Sequence, residues 1–199
     1  MAEKFDPAHW EKLEDPQRLV ELPPAAIADL LNLTGDETLV DFGAGTGAFT
    51  IPLAERLPCG KVLAVDASSE LLGRLYQKLA DLDPDVRARI APVLTKDGRV
   101  PLQDGIADRL LAINVAHHVH DEPEVLATMS RLLRPGGRLV VIDFGHIDRP
   151  VGPPKDHVLP HDRLRELVRS MGVRECAVHE PGDLFDYHIA VVAEKPAEP

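Results

Sequence analysis

The residues that most constrain the chemistry of this chain lie in the segment LVDFGAGTGAFT, which spans residues 39–50. An apolar run ends in Asp41, and Gly43, Gly45 and Gly47 then occupy alternate positions. Glycine lets the backbone turn sharply and lets another group approach it closely. A helix predicted after the turn would offer unpaired N–H groups and a partial positive charge to an anionic group. The segment therefore predicts a ligand-binding turn, in preference to a tight turn without a ligand.

Two nucleoside cofactors fit this turn. The letters GAGTGA match the pattern G-x-G-x-x-A, with Gly43, Gly45 and Ala48 in the places used by dinucleotide-binding proteins. Asp41, however, would face a cation better than a pyrophosphate. Asp66 ends the next predicted strand, where a carboxylate can accept hydrogen bonds from both ribose hydroxyls of either cofactor; its alternative role is to cap the next helix. These residues predict a nucleoside but leave its identity open.

A second set of candidate residues is the histidine group in the segment VAHHVHD, which follows another predicted strand. Histidine exchanges a proton near neutral pH, so His117 and His118 are candidate general bases or orienting donors. The alternative is that they pack and form hydrogen bonds at a strand-to-helix corner. The spacing of His117, His118 and His120 lacks the i, i+4 pair of a helical zinc site, and Cys59 and Cys176 are far apart, so no metal is predicted.

The elements that position these residues follow from the periodicity of the apolar residues. Short β-rich runs occur at 38–42, 61–66, 88–94, 108–114 and 138–144, and helical patterns lie between them. Such alternation predicts a mostly parallel sheet with helices on both faces. Two further strands, at 173–180 and 186–195, are joined by a turn too short for a crossover helix, so they must be antiparallel. The predicted fold is α/β, a Rossmann-like doubly wound sheet of seven strands that ends in an antiparallel hairpin.

The predicted domain organisation has two parts. Residues 1–22 are polar with scattered aromatics, Phe5 and Trp10, and we expect them to form a lid over the ligand or a frayed tail. Residues 23–199 are expected to form one domain. Within it, the Pro- and Gly-rich segment 145–160 follows the fifth strand and is expected to line the pocket of a second substrate.

Composition and charge narrow the classes of partner. The chain of 199 residues has 33 acidic and 22 basic side chains and a net charge of −11, and we find no basic run with interleaved aromatics. A nucleic-acid partner is therefore not expected. The sequence contains no segment typical of a membrane span and no secretory signal pattern, and its two cysteines indicate a reducing compartment. We expect a cytoplasmic protein whose partner is a small molecule or another protein; the sequence does not predict its oligomeric state.

Four stretches together resemble the motifs of class I S-adenosylmethionine-dependent methyltransferases, in the broad group that includes the ubiquinone/menaquinone-biosynthesis type. The stretch VDFGAGTG resembles the first motif and VDASSELL the second. The segment at 101–119 resembles the fourth-strand region, and the segment at 132–144 resembles the lead into the fifth strand. The resemblance extends from about residue 22 to residue 195.

The resemblance implies that S-adenosylmethionine is the cofactor and that a small-molecule acceptor receives its methyl group. The methionyl part would lie on the glycine turn with Asp41 facing its amino end, and the ribose would lie on Asp66. The cofactor contacts implied are Asp41, Gly43, Ala44, Gly45, Gly47, Asp66, Ala67 and Asn114. A base is needed only if the acceptor must lose a proton.

The chain departs from the family pattern where the adenine should bind. The third strand usually ends in an acid that meets the adenine amine, but the sequence here reads LTKDGRVP. Asp97 and Gly98 are the candidates if the loop is shifted, and an exposed turn is the alternative. An oxidoreductase that uses a nicotinamide dinucleotide and a non-catalytic cofactor-binding domain both remain open.

Overall fold

A computed structural model of the chain describes residues 6–95, 99–150 and 152–197. Its central sheet contains β1 (Thr38–Phe42), β2 (Lys61–Asp66), β3 (Ile90–Leu94), β4 (Ala107–Ile113), β5 (Leu133–Phe144), β6 (Arg174–His179) and β7 (His188–Glu194). The strand order is β3-β2-β1-β4-β5-β7-β6. Strands β1 to β5 are parallel, whereas β7 runs antiparallel to both β5 and β6. The predicted fold class is confirmed.

Helices cover both faces of this sheet. They are α1 (Gln17–Glu21), α2 (Pro24–Leu31), α3 (Thr50–Ala54), α4 (Ser69–Leu79), α5 (Pro84–Ala88), α6 (Ala116–Val119), α7 (Pro123–Leu132) and α8 (His161–Ser170). One core cluster joins α2, α3 and α4 to one face, and a second joins α6, α7 and α8 to the other. Of the helices in the described ranges, none has the length and apolar character needed to cross a membrane.

Burial on both faces explains why the strands read as continuous apolar runs. Leu39 belongs to the first cluster and Val40 to the second, and in β5 Val140 and Val141 divide in the same way. Successive side chains of a strand point to opposite faces, so a strand with helices on both sides needs apolar residues at both parities. The carboxyl ends of the parallel strands then meet at one edge of the sheet.

The start of β5 differs from the sequence prediction. The sequence predicts the fifth strand at 138–144, but β5 begins at Leu133, directly after α7, and includes the segment RPGG (134–137). The physical reason is pairing with the end of the chain. The N–H of Gly136 donates to the carbonyl of Lys195 at 2.9 Å, and the N–H of Lys195 donates to the carbonyl of Gly137 at 2.9 Å.

The N-terminal segment packs against α4. Residues Pro7–Leu13 form a short 3-10 helix and are followed by α1. The guanidinium of Arg74 lies 3.8 Å from the ring centroid of Trp10, and Lys78 Nζ forms an ion pair with Glu14 Oε1 at 2.8 Å. These contacts hold the segment beside the glycine turn. Phe5, the other aromatic residue noted in this segment, lies outside the described residues.

Candidate active site

A large open cavity lies at the carboxyl ends of the parallel strands. Its volume is about 2050 Å³, and it is lined by the glycine turn, the end of β2, the residues after β4, the N-terminal segment and the loop after β5. Pockets for a single small ligand are typically ~300–1,000 Å³. The cavity therefore has room for two ligands side by side.

The backbone of the glycine turn explains its glycines. Gly43, Gly45 and Gly47 have φ values of 79°, 56° and 81°, in the left-handed region that favours glycine. A Cβ atom at Gly43 would lie 2.4 Å from Val115 Cγ2, and one at Gly47 would lie 2.4 Å from Leu75 Cδ1. Two of these glycines thus make room for side chains of the chain itself.

The N–H groups of the turn are directed into the protein. Gly43 and Ala44 donate to one carbonyl of β2 at 2.8 and 3.0 Å, and Gly47 donates to the carbonyl of Ala44 at 2.9 Å. The N–H of Gly45 donates to Asp66 Oδ2 at 2.8 Å. A pyrophosphate needs such N–H donors, and here four of them are engaged inside the chain. The buried carboxylate of Asp41, which lines the same cavity, suits a cation instead.

Asp41 lies beneath the turn and faces the cavity. Its side chain is 4% exposed, and Thr50 Oγ1 donates a hydrogen bond to its Oδ2 at 2.5 Å. Burial raises the pKa of Asp41 to about 6, and the nearby carboxylate of Asp66 adds to this; the Thr50 hydrogen bond and the charge of Arg18 act in the opposite direction. A cation arriving beside Asp41 would stabilise its ionised form.

Asp66 connects the glycine turn to the start of α4. Its Oδ2 accepts the N–H of Gly45, and its Oδ1 accepts the N–H of Ser68 at 2.8 Å. Burial raises the pKa of Asp66, and these hydrogen bonds act in the opposite direction. Ser68, not Asp66, is the capping residue of α4, since its Oγ accepts the N–H of Leu71 at 3.2 Å. The Asp66 carboxylate lines the cavity, next to the exposed residue Ala67.

Arg18 lines the cavity, and no pattern in the sequence marks it as a site residue. Its Nη1 donates to the carbonyl of Leu13 at 2.7 Å, and its guanidinium lies 5.2 Å from the ring centroid of Phe49. Burial lowers the pKa of Arg18, whereas the charges of Glu14 and Asp41 raise it. Arginine stays protonated in proteins, so α1 brings a permanent positive charge to the end of the cavity that contains Asp41.

Asn114 follows β4 in an uncommon conformation. Its φ is 56°, which few residues other than glycine adopt, although asparagine tolerates it best. Its backbone N–H donates to the carbonyl of Ile142 at 2.8 Å. Its side-chain Oδ1 is buried without a hydrogen-bond partner among the described residues, and Asn114 lines the cavity. The amide can therefore bind a ligand donor.

His117 is held by a carboxylate that the sequence analysis did not select. Asp143, in β5, is 2% exposed. Its Oδ1 lies 2.6 Å from His117 Nδ1, and its Oδ2 accepts the backbone N–H of His117 at 2.9 Å. A carboxylate oxygen can accept a hydrogen bond from an imidazole N–H, so this contact favours the tautomer that carries hydrogen on Nδ1 and leaves Nε2 free to take a proton. The pair has the His–Asp arrangement that orients a general base.

The other histidines lie close to this pair. The ring of His118 is 3.9 Å from that of His117 between centroids, and His120 Nδ1 lies 3.0 Å from the carbonyl oxygen of His117. His188, at the start of β7, was not selected from the sequence; it is 2% exposed, and its ring centroid lies 4.6 Å from that of Phe144. All of them line the cavity.

Two sequence-predicted residues are not placed. Asp97 and Gly98, the adenine candidates, lie outside the described residues. Among the residues that are described, no three His, Cys, Asp or Glu side chains are grouped so as to hold a metal ion.

The chain is similar in sequence to known methyltransferases. Residues 40–139 match the family described as "Methyltransferase domain". The chain is 29% identical over 167 residues to a demethylmenaquinone methyltransferase of Tropheryma whipplei, covering 82% of this chain and 60% of that protein. It is 29% identical over 142 residues to a ubiquinone/menaquinone biosynthesis C-methyltransferase of an Enterobacter species, covering 68% of this chain and 55% of that protein.

Among solved structures, a SAM-dependent methyltransferase from Aquifex aeolicus superposes with a TM-score of 0.87 at 26% identity, covering 96% of this chain and 99% of that one. The curated relatives are longer. The chain spans from 33% to 60% of the length of the first of them.

Proposed function

Since the chain belongs to the family of methyltransferase domains, we propose that it is an S-adenosylmethionine-dependent methyltransferase that acts on a small-molecule acceptor. The observation that carries the proposal is the direction of the hydrogen bonds in the glycine turn. The N–H groups of Gly43, Ala44, Gly45 and Gly47 are engaged inside the chain, and Asp41 lies beneath them. This arrangement suits a positively charged methionine tail and opposes the pyrophosphate of a nicotinamide dinucleotide.

The residues around the cavity fit S-adenosylmethionine along its length. Asp41 would hold the positively charged amino end, and Arg18 supplies the positive charge for its carboxylate. Asp66 retains lone pairs for the ribose hydroxyls, because each carboxylate oxygen accepts more than one hydrogen bond. Asn114, with its unpartnered Oδ1, would accept a cofactor donor. Asp97 and Gly98 remain our proposal for the adenine, and Ala67 for the edge of the ribose site.

When bound, S-adenosylmethionine supplies a methyl group on a positively charged sulfur, which needs only a correctly placed nucleophile. The protein can provide much of the rate by holding the acceptor in line with that methyl group and excluding water, for which effective molarities set a limit of ~7–11 kcal/mol. The N-terminal segment, held on α4 by Trp10 and Glu14, would act as the lid that excludes water.

The role of His117 is to take a proton from the acceptor. Nε2 of His117 would receive the proton of a hydroxyl or an acidic carbon as the new bond to the methyl group forms. The carboxylate of Asp143 holds the ring in the required tautomer and stabilises the positive charge that the ring then gains. His118, whose ring lies beside that of His117, would orient the acceptor.

The class of acceptor follows from the relatives. By their names, two of them act on demethylmenaquinone or in ubiquinone and menaquinone biosynthesis, so small organic molecules are the acceptors to test first. We also propose a cytoplasmic location, because the two cysteines of the chain indicate a reducing compartment. We propose no nucleic-acid partner, because the net charge is −11.

Two measurements test the proposal. Calorimetry with S-adenosylmethionine, S-adenosylhomocysteine and NAD should detect binding of the two sulfur nucleosides but not of NAD. Transfer of a labelled methyl group to a panel of phenols, amines and quinols should then identify an acceptor. Binding should weaken in Asp66→Ala but not in the control Asp162→Ala, whose side chain is exposed on α8. Micromolar binding of NAD with no binding of the sulfur nucleosides would refute the proposal.

A further inference from the structure

His188 is a buried imidazole for which the proposed methyl transfer has no use. It is the first residue of β7 and is 2% exposed. Within the described residues neither Nδ1 nor Nε2 has a hydrogen-bond partner. Buried side chains with polar atoms almost always have partners, so such a group calls for an explanation. The side chain lines the cavity, which gives it access to a ligand.

His188 lies close to His117, the proposed base. It is paired with Phe144 across β5 and β7, and the two rings lie 4.6 Å apart between centroids. The ring of Phe144 in turn lies 6.0 Å from that of His117. His188 therefore lines the same cavity as His117, and the ring of Phe144 lies near both imidazoles.

The environment keeps the imidazole uncharged. Burial lowers the pKa of His188 to about 4, and the charges of Arg18 and Arg149 act in the same direction, against the carboxylate of Asp143. A neutral imidazole has one donor and one acceptor nitrogen. It can therefore bind a hydroxyl or a carbonyl group, but it offers no positive charge to an anion.

The nearby cation does not change this conclusion. Arg149 Nη1 donates to the carbonyls of Gly145 and Ile147 at 2.8 and 3.3 Å, and its Nη2 donates to that of Pro153. Its guanidinium also lies over Phe144, 4.9 Å from the ring centroid. Arg149 thus uses both terminal nitrogens of its guanidinium to hold the loop after β5 in place.

We propose that His188 binds the methyl acceptor and helps to determine which acceptors are used. Its imidazole forms a hydrogen bond with an uncharged hydroxyl or carbonyl group of the acceptor, in addition to the site from which His117 removes a proton. The acceptor is then an uncharged molecule that carries a hydroxyl or carbonyl oxygen in addition to the group that is methylated. The Phe144 ring, which is partly exposed, turns aside when this acceptor enters, because the nitrogens of His188 are covered in the structure. This inference rests on the proposed function.

The test uses two variants and one control in the full chain. His188→Phe keeps the planar shape and removes both hydrogen-bonding nitrogens, whereas His188→Gln keeps one donor and one acceptor. His179→Phe, in β6 and outside the cavity, is the control. For the acceptor identified with labelled cofactor, KM should rise at least tenfold in His188→Phe and partly recover in His188→Gln. The Kd of S-adenosylmethionine, measured by calorimetry, should change less than twofold in all three.

A second readout does not depend on the acceptor. Replacing a buried, unpartnered polar ring by an apolar ring of similar shape should raise the thermal midpoint of His188→Phe by about 2–4 °C. A wild-type KM in His188→Phe, or a lower thermal midpoint, would overturn the inference. If the wild-type protein itself binds no S-adenosylmethionine, the proposed function is refuted instead, so the two failures are distinguishable.

Discussion

Binding of S-adenosylmethionine should be coupled to the ionisation of Asp41. This carboxyl group is buried beneath the glycine turn, and burial raises its pKa to about 6. A cofactor with a positively charged amino group and sulfur favours the ionised carboxylate. The protein must therefore lose a proton from Asp41 when the cofactor binds at acidic pH, and affinity should fall as the pH falls.

The size of the effect follows from the pKa. With a pKa of about 6, the ionised fraction of Asp41 is about 0.9 at pH 7 and about 0.1 at pH 5. The affinity should therefore fall about tenfold over this range, equivalent to about 1.4 kcal/mol. At pH 6 binding should release about half a proton, which appears as a dependence of the calorimetric enthalpy on the ionisation enthalpy of the buffer.

Two variants identify the group responsible. Asp41→Asn should bind the cofactor more weakly at pH 7 and should lose the part of the pH dependence of affinity that comes from Asp41. Any pH dependence that remains is assigned to Asp66, whose pKa is also raised by burial. Thr50→Val removes the hydrogen bond that lowers the pKa of Asp41, so the midpoint of the affinity curve should move to higher pH. An affinity that is constant from pH 7 to pH 5, or a slope unchanged in Asp41→Asn, would refute the reasoning.

Three further predictions concern the base, the turn and His188. Asp143→Asn should lower turnover by about 10²–10⁴-fold with little change in cofactor Kd, measured by labelled-methyl transfer and calorimetry. Gly47→Ala should destabilise the fold by about 1–3 kcal/mol in urea titration, because its Cβ would lie 2.4 Å from Leu75, whereas Gly172→Ala, with a similar φ but open space, should lose less. His188 has a pKa of about 4 in the folded protein against 6.5 when unfolded, so its titration does not oppose folding above pH 6.5 but does so increasingly below it; by pH 4 the wild type should lose about 3 kcal/mol of unfolding free energy relative to His188→Phe. A difference between these two proteins that is independent of pH would contradict this.

Much of the fold follows from local patterns in the sequence. The alternation of strands and helices and the short turn before β7 predict the mixed sheet, because each is a property of neighbouring residues. The family resemblance rests on the same stretches and is confirmed. The error at the start of β5 arises instead from a contact between residues that are distant in the sequence. The predicted fifth strand, 138–144, leaves out Gly136 and Gly137, and only their pairing with the distant Lys195 makes them part of β5.

The candidate site was only partly predictable for the same reason. Gly43, Gly47 and Asp66 are recognisable by type and spacing, but the side chains that require the glycines are distant in sequence. Asp143 gives a weak signal, a single acid at the end of an apolar strand, and its partner His117 lies on another element. Arg18 and His188 give no signal in the sequence, because isolated polar residues are common in polar segments and beside strands.

The double attachment of Asp66 limits how the protein could be redesigned for other nucleosides. The carboxylate that faces the proposed ribose site also fixes the N–H groups of Gly45 and Ser68. A substitution chosen to admit a synthetic cofactor with a modified sugar would therefore also release the backbone of the glycine turn, where we propose that the methionine tail binds. Selectivity for the sugar and binding of the amino acid therefore cannot be changed independently. A successful redesign needs a second substitution that restores a hydrogen-bond acceptor for the N–H of Gly45.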